Sequence, residues 1–89
     1  MFNANWEIVF TLEKINGSAE KAKSEFQYDM NDNEIILFLR RRTKELVDQY
    51  DFKTVEGRAI QIEGVDKNSG LVYYSTPPVI HTYKHENEQ

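Results

Sequence analysis

Two histidines four positions apart, His81 and His85, are the residues whose type and spacing come nearest to a metal site. On a helix that spacing sets two imidazoles on one face, with Glu86 or Glu88 as a third ligand. On a strand the pair again shares a face, but stands roughly 13 Å apart, too far to share an ion. Pro77-Pro78 and the β-branched residues nearby favour an extended chain. The histidines are therefore read as exposed side chains, and no metal or other cofactor is expected.

The remaining catalytic constellations fare no better. The carboxylate pairs Asp48 with Asp51 and Glu86 with Glu88 fall where helix ends and polar tails are ordinarily acidic, whereas acid–base chemistry needs a carboxylate in a desolvated pocket. Ser18, Ser24, Ser69 and Ser75 lack the context of a nucleophile elbow. Gly17, Gly57, Gly64 and Gly70 are isolated, without the spacing of a phosphate-binding loop. There is no cysteine, which removes thiol catalysis, thiolate metal sites and disulfides, and suits a reducing cytoplasm. The chain is expected to act without catalysis.

The densest charge is Arg40-Arg41-Arg42, in a chain of net charge −4. Consecutive helical residues fan out by about 100°, so Arg40 and Arg42 should flank a core-facing stripe from opposite sides while Arg41 meets solvent. Arg41 with Glu45 and Lys44 with Asp48 have the i,i+4 spacing of ion pairs. A nucleic-acid-binding domain would use these arginines, Lys44 and Arg58, with Tyr73 or Tyr74 as stacking platforms. Glu13, Glu20, Glu25, Glu45 and Glu63 offset the basic residues along the same elements, so nucleic acid ranks second.

The elements that would position these residues follow from periodicity. Trp6, Ile8, Phe10 and Leu12 alternate with Glu7, Val9, Thr11 and Glu13, the period of a half-buried strand. Asn16-Gly17 marks a reversal, and Ala22, Ser24, Phe26, Tyr28 and Met30 share the next phase. A three-residue loop would set Leu12 against Ala22, Ile8 against Phe26 and Trp6 against Tyr28, bringing the even positions of both strands to one face. The rival is a short helix over residues 19–26 capped by Ser18.

Asn31, with Glu34 three residues on, has the form of a capping box, and Met30 with Ile35 that of a hydrophobic staple. Winding the chain from Glu34 to Tyr50 gathers Ile35, Ile36, Leu39, Thr43, Leu46, Val47 and Tyr50 in an arc about 120° wide. A second hairpin spans Arg58 to Thr76, turning at "DKNSG", and "VIHTY" adds a short strand after the prolines.

The fold class is thus α+β, a single domain over residues 1–84 in the order β-β-α-β-β with an extra strand, followed by a polar tail over residues 85–89. One amphipathic helix covers one face of a mostly antiparallel sheet and leaves the other open. No segment has the length and apolarity of a membrane span, and a cytoplasmic location is expected. The expected function is protein binding, as an accessory subunit or inhibitor. Short acidic chains of this kind occur among phage and mobile-element proteins that block host nucleases or defence systems.

Candidate contact residues are Glu7, Glu13, Glu63 and Asp66, as acidic surface on strands and turns, with Arg41, Tyr73 and Tyr74. Leu37 and Phe38, outside the apolar arc, form a candidate docking patch for a partner protein or a second copy of the chain.

Overall fold

The computed structural model describes residues 3–17, 19–21, 24–50 and 52–87. Strand β1 (Ala4–Lys14) is followed by β2 (Ala19–Lys21), β3 (Glu25–Met30), helix α1 (Asp32–Gln49), β4 (Phe52–Val65), β5 (Val72–Tyr74) and β6 (Ile80–Glu86). All strand pairings are antiparallel. β1 and β4 lie side by side at the centre, β2 and β3 share the free side of β1, and β5 and β6 share the free side of β4. The α+β class is as the periodicities indicate. The final strand runs through His85 and Glu86, and the Asn87 N–H bonds the Lys53 carbonyl, so two residues assigned to a tail belong to the sheet.

Helix α1 starts where the sequence says it must. The Glu34 N–H donates to Asn31 Oδ1 at 2.9 Å, and the Asn31 N–H donates to Glu34 Oε1 at 3.1 Å, a reciprocal cap that satisfies two otherwise unpaired donors. Ile35, Leu39, Leu46 and Val47 are buried against Trp6, Ile8, Phe10, Leu12, Val55 and Ala59, each large side chain contributing about 1.5–3 kcal/mol. Ile36 and Tyr50, placed in the core stripe by the helical wheel, are exposed: Ile36 lies near one margin of the arc, and Tyr50, at its centre on the wheel, is the C-cap, where the backbone turns extended and leaves the helix. Thr43 is wholly buried yet satisfied, because its hydroxyl donates back to the Leu39 carbonyl at 2.8 Å.

At the centre of the packing is Gly57. A Cβ there would stand 3.0 Å from Leu39 Cδ2 and 3.1 Å from Phe10 Cε1, so the missing side chain is what lets α1 rest on β4. Trp6 closes the other end of the core, its indole N–H donating to the Met30 carbonyl at 3.0 Å and so tying β1 to the β3–α1 junction.

Two registers differ from expectation. β2 pairs Leu12 with Glu20 and Glu13 with Ala19, so the loop is centred on Asn16, one residue earlier than predicted. Between Lys21 and Glu25 one residue is inserted, and β3 then pairs Ile8 with Glu25, Glu7 with Phe26 and Trp6 with Gln27. A one-residue slip turns every side chain over. Phe26 and Tyr28 therefore face away from the helix, whereas even phase had set them in the core. A second insertion near Asp29, whose φ is 59° and whose N–H is held by Asn5 Oδ1, returns Met30 to the core side. β2 and β3 replace the alternative helix; Ser18, Ala22 and Lys23 lie outside the described residues.

Candidate protein-binding surfaces

The pairing registers give the side-chain rows of the face that α1 does not cover. Across the sheet run Phe26, Glu7, Ile60 and Ile80; then Val9, Arg58 and Thr82; then Thr11, Glu56 and Lys84; then Glu13, Thr54 and Glu86. The rings of Phe26 and Tyr28 stack at 6.5 Å between centroids. Tyr74 reaches in from β5, and its hydroxyl donates to Glu7 Oε1 at 2.8 Å. That bond holds the Tyr74 phenol above the usual tyrosine range, with partial burial and the Glu7 charge acting in the same direction. Glu7, Val9, Thr11, Glu56, Arg58, Ile60 and Tyr74 line a shallow cavity of about 320 Å³. This half of the molecule is apolar and aromatic at one end and acidic at the other.

On the opposite side, α1 overhangs β6. Arg40, Arg41, Lys44 and Leu37 form the helix wall of an open groove of about 510 Å³, and Tyr83 and His85 form its sheet wall. The Arg40 guanidinium lies over the Tyr83 ring at 5.9 Å. Lys44 bonds Asp48 at 2.9 Å, which raises the pKa of its ammonium first by the hydrogen bond and then by charge. Arg42 sits on the other flank of the helix over Phe10, held by Glu25 at 2.9 Å and Glu45 at 3.4 Å, the Glu25 bond chiefly raising its pKa. The expected split of Arg40 from Arg42 is present. Arg41, however, shares the groove with Arg40 and Lys44, and Glu45 pairs with Arg42 in its place.

Other candidates separate. Leu37 is 56% exposed in the groove, whereas Phe38, one helical step away, packs against the core, so the two do not make one patch. Glu63 is exposed near the end of β4, and Tyr73 is exposed opposite Gly64. Asp66 builds its own turn: its carboxylate accepts the N–H groups of Asn68 at 2.8 Å and Ser69 at 3.4 Å, which lowers its pKa. The helix arginines and Tyr73 or Tyr74 do not meet; the ring beside Arg40 is Tyr83, while Tyr74 lies with Arg58 on the other face.

His81 and His85 share the helix-side face of β6 and are half-buried rather than exposed, His81 standing 3.4 Å from Asp32 and 5.5 Å from the Trp6 ring; among the described residues no cluster of three potential metal ligands occurs. Nor is any described helix long and apolar enough to cross a membrane. Phe26, Tyr28, Ile60 and Ile80 were not picked out by the sequence as surface; the turn signals around Asn16 could not reveal the inserted residue that turns Phe26 outward. No protein-family model, curated protein or solved structure matches the chain significantly.

Proposed function

We propose that the protein is a non-catalytic binding module, an accessory subunit or inhibitor that lays its uncovered sheet face on a larger protein in the cytoplasm. One observation carries this: the row Phe26, Glu7, Ile60, Ile80, with Tyr28 and Tyr74 beside it, crosses a sheet face that the helix leaves open. Tyr28 is 60% exposed and Ile80 49%, and aromatic and aliphatic side chains grouped this way supply the anchors on which interfaces depend.

Charge selects the partner. Among the described side chains of those rows Glu7, Glu13, Glu56 and Glu86 outnumber Arg58 and Lys84, with Lys53 standing 3.7 Å from Glu13, so the complementary surface is an apolar spot bordered by lysine and arginine. A cleft that ordinarily holds nucleic acid has this chemistry, which favours inhibition of a host nuclease or defence protein by a phage or mobile-element product. A second copy of the chain would set like charges together.

The test is a Glu7→Lys/Ile80→Lys variant, compared with wild type and with Arg41→Glu on the helix side. Ile80→Lys, at an exposed site, should change stability by no more than about 0.5 kcal/mol. Loss of the bond from Tyr74 to half-buried Glu7 should add about 0.5–1.5 kcal/mol, so a thermal melt checks that the variant is folded. Quantitative capture from host extract should yield a basic protein that wild type and Arg41→Glu retain and the face variant loses. Identical capture by all three would overturn the proposal, as would a dimer by light scattering that the face variant dissociates. Tight oligonucleotide binding that collapses between about 50 and 200 mM salt would move the function to nucleic acid.

A further inference from the structure

β6 is an edge strand. It pairs with β4 on one side, and among the described residues no strand pairs with the other. The Gln61 N–H bonds the Val79 carbonyl at 2.9 Å and the Asn87 N–H bonds the Lys53 carbonyl at 2.8 Å, which sets the phase of the ladder at both ends. In an antiparallel pair, bonded and non-bonded positions alternate. His81, Tyr83 and His85 thus turn their backbone groups toward β4, and Ile80, Thr82, Lys84 and Glu86 turn theirs outward. The same alternation aims the side chains of Tyr83 and His85 to the helix side, into the groove beneath Arg40, Arg41 and Lys44. A row of backbone donors and acceptors that no described strand pairs with lies alongside a cationic groove.

We propose that this edge takes an extended acidic peptide as an added strand, with its carboxylates in the groove between α1 and β6. Main-chain bonds to Thr82 and Lys84 would supply the register, and residues of the incoming strand opposite Tyr83 and His85 would face Arg40, Arg41 and Lys44. Among the described residues no carboxylate lines the groove, and Lys44 is bonded to Asp48. At the His81 end the helix presents Asp32, 3.4 Å from the imidazole, so acidic side chains are favoured opposite Tyr83 and His85 and not opposite His81.

Charge decides against the other occupants. A second copy pairing through its own β6 would bring two cationic grooves together. A nucleic-acid strand would use the cations and leave the backbone row unpaired, against a chain of net charge −4. This surface lies across the sheet from the open face and does not depend on the function proposed for that face.

The probe is a short blocked peptide alternating glutamate with valine, fluorescently labelled, with a lysine–valine peptide as control, titrated by anisotropy. The glutamate peptide should bind about tenfold or more tightly than the lysine peptide, and Arg40→Glu/Arg41→Glu should reverse that preference while the fold is retained. On binding, the amide protons of Thr82 and Lys84 should slow in exchange while those of Tyr83 and His85 stay protected throughout. Equal binding of both peptides, an unreversed preference in the charge-swapped variant, or unchanged exchange at Thr82 and Lys84 would each overturn the proposal. So would stronger competition by oligothymidylate than by unlabelled peptide, or a dimer in which those two amides are already protected.

Discussion

Replacing Gly57 with alanine tests the packing at its tightest point. The new methyl would stand 3.0 Å from Leu39 Cδ2 and 3.1 and 3.3 Å from two carbons of the Phe10 ring, against an optimal carbon–carbon separation of about 3.5–4.0 Å. Leu39 and Phe10 are each 1% exposed, so neither can swing aside into solvent, and the packing around them must give by a few tenths of an ångström. Overpacking of this kind costs about 1–3 kcal/mol. The smaller unfolded-state entropy of alanine returns about 0.4–1 kcal/mol. The expected net loss lies between about 0 and 2.6 kcal/mol, about 1.3 kcal/mol at the centre of the range, read as a lower urea midpoint at unchanged slope. Leu39→Ala alone should cost about 2–5 kcal/mol. In the double variant the methyl has room, so the two losses should sum to more than the measured total, with a coupling of about 0.5 kcal/mol or more. Strict additivity with Leu39→Ala, or a Gly57→Ala protein more stable than wild type, would refute the close approach of helix and strand.

Asn31→Ala removes the acceptor for the Glu34 N–H and should destabilise by about 0.5–2 kcal/mol, whereas Asn31→Asp keeps it and should cost far less; equal losses in a urea titration would discount the cap. Tyr74 should ionise above the ordinary tyrosine range by its phenolate absorbance, and Glu7→Gln should bring it back down. A raised folded value means that folding favours the neutral phenol. The stability it contributes is present below the unfolded pKa of about 10 and lost as pH rises through the folded value. Wild type should therefore lose more stability than Glu7→Gln on that alkaline limb.

What was legible in the sequence was what short-range chemistry dictates. Asn31 and Glu34 are three residues apart, and their reciprocal bonds need nothing from the rest of the molecule. β1 alternates strictly because one of its faces is wholly buried. The "DKNSG" turn is likewise local, fixed by the Asp66 carboxylate and by Gly70 at φ 75°. Phe26 was misplaced because strand parity depends on an inserted residue that leaves no mark in the hydrophobic pattern. Gly57 reads in isolation as a weak spot in a strand, and only the position of Leu39 above it gives it a purpose. Arg40 and Arg41 join one groove because β6 passes beneath that flank of the helix, a long-range fact that a helical wheel cannot contain.

The strand order has a kinetic consequence. The two central strands, β1 and β4, are separated in the chain by everything from β2 to α1, and Ile8 finds Ala59 only after that whole stretch has been traversed. Helix α1 and the pairings of β1 with β2 or β4 with β5 can form locally, but none of them covers Trp6, Ile8, Phe10 and Leu12 without the far strand and the helix together. Closure of the long loop must be met before burial repays it, so folding should be slow for a chain of this length and without stable halves. During synthesis β1 leaves the ribosome before β4 and waits for it with its apolar side uncovered. The regular alternation that makes β1 the easiest strand to read also makes it the segment exposed to aggregation for the longest time.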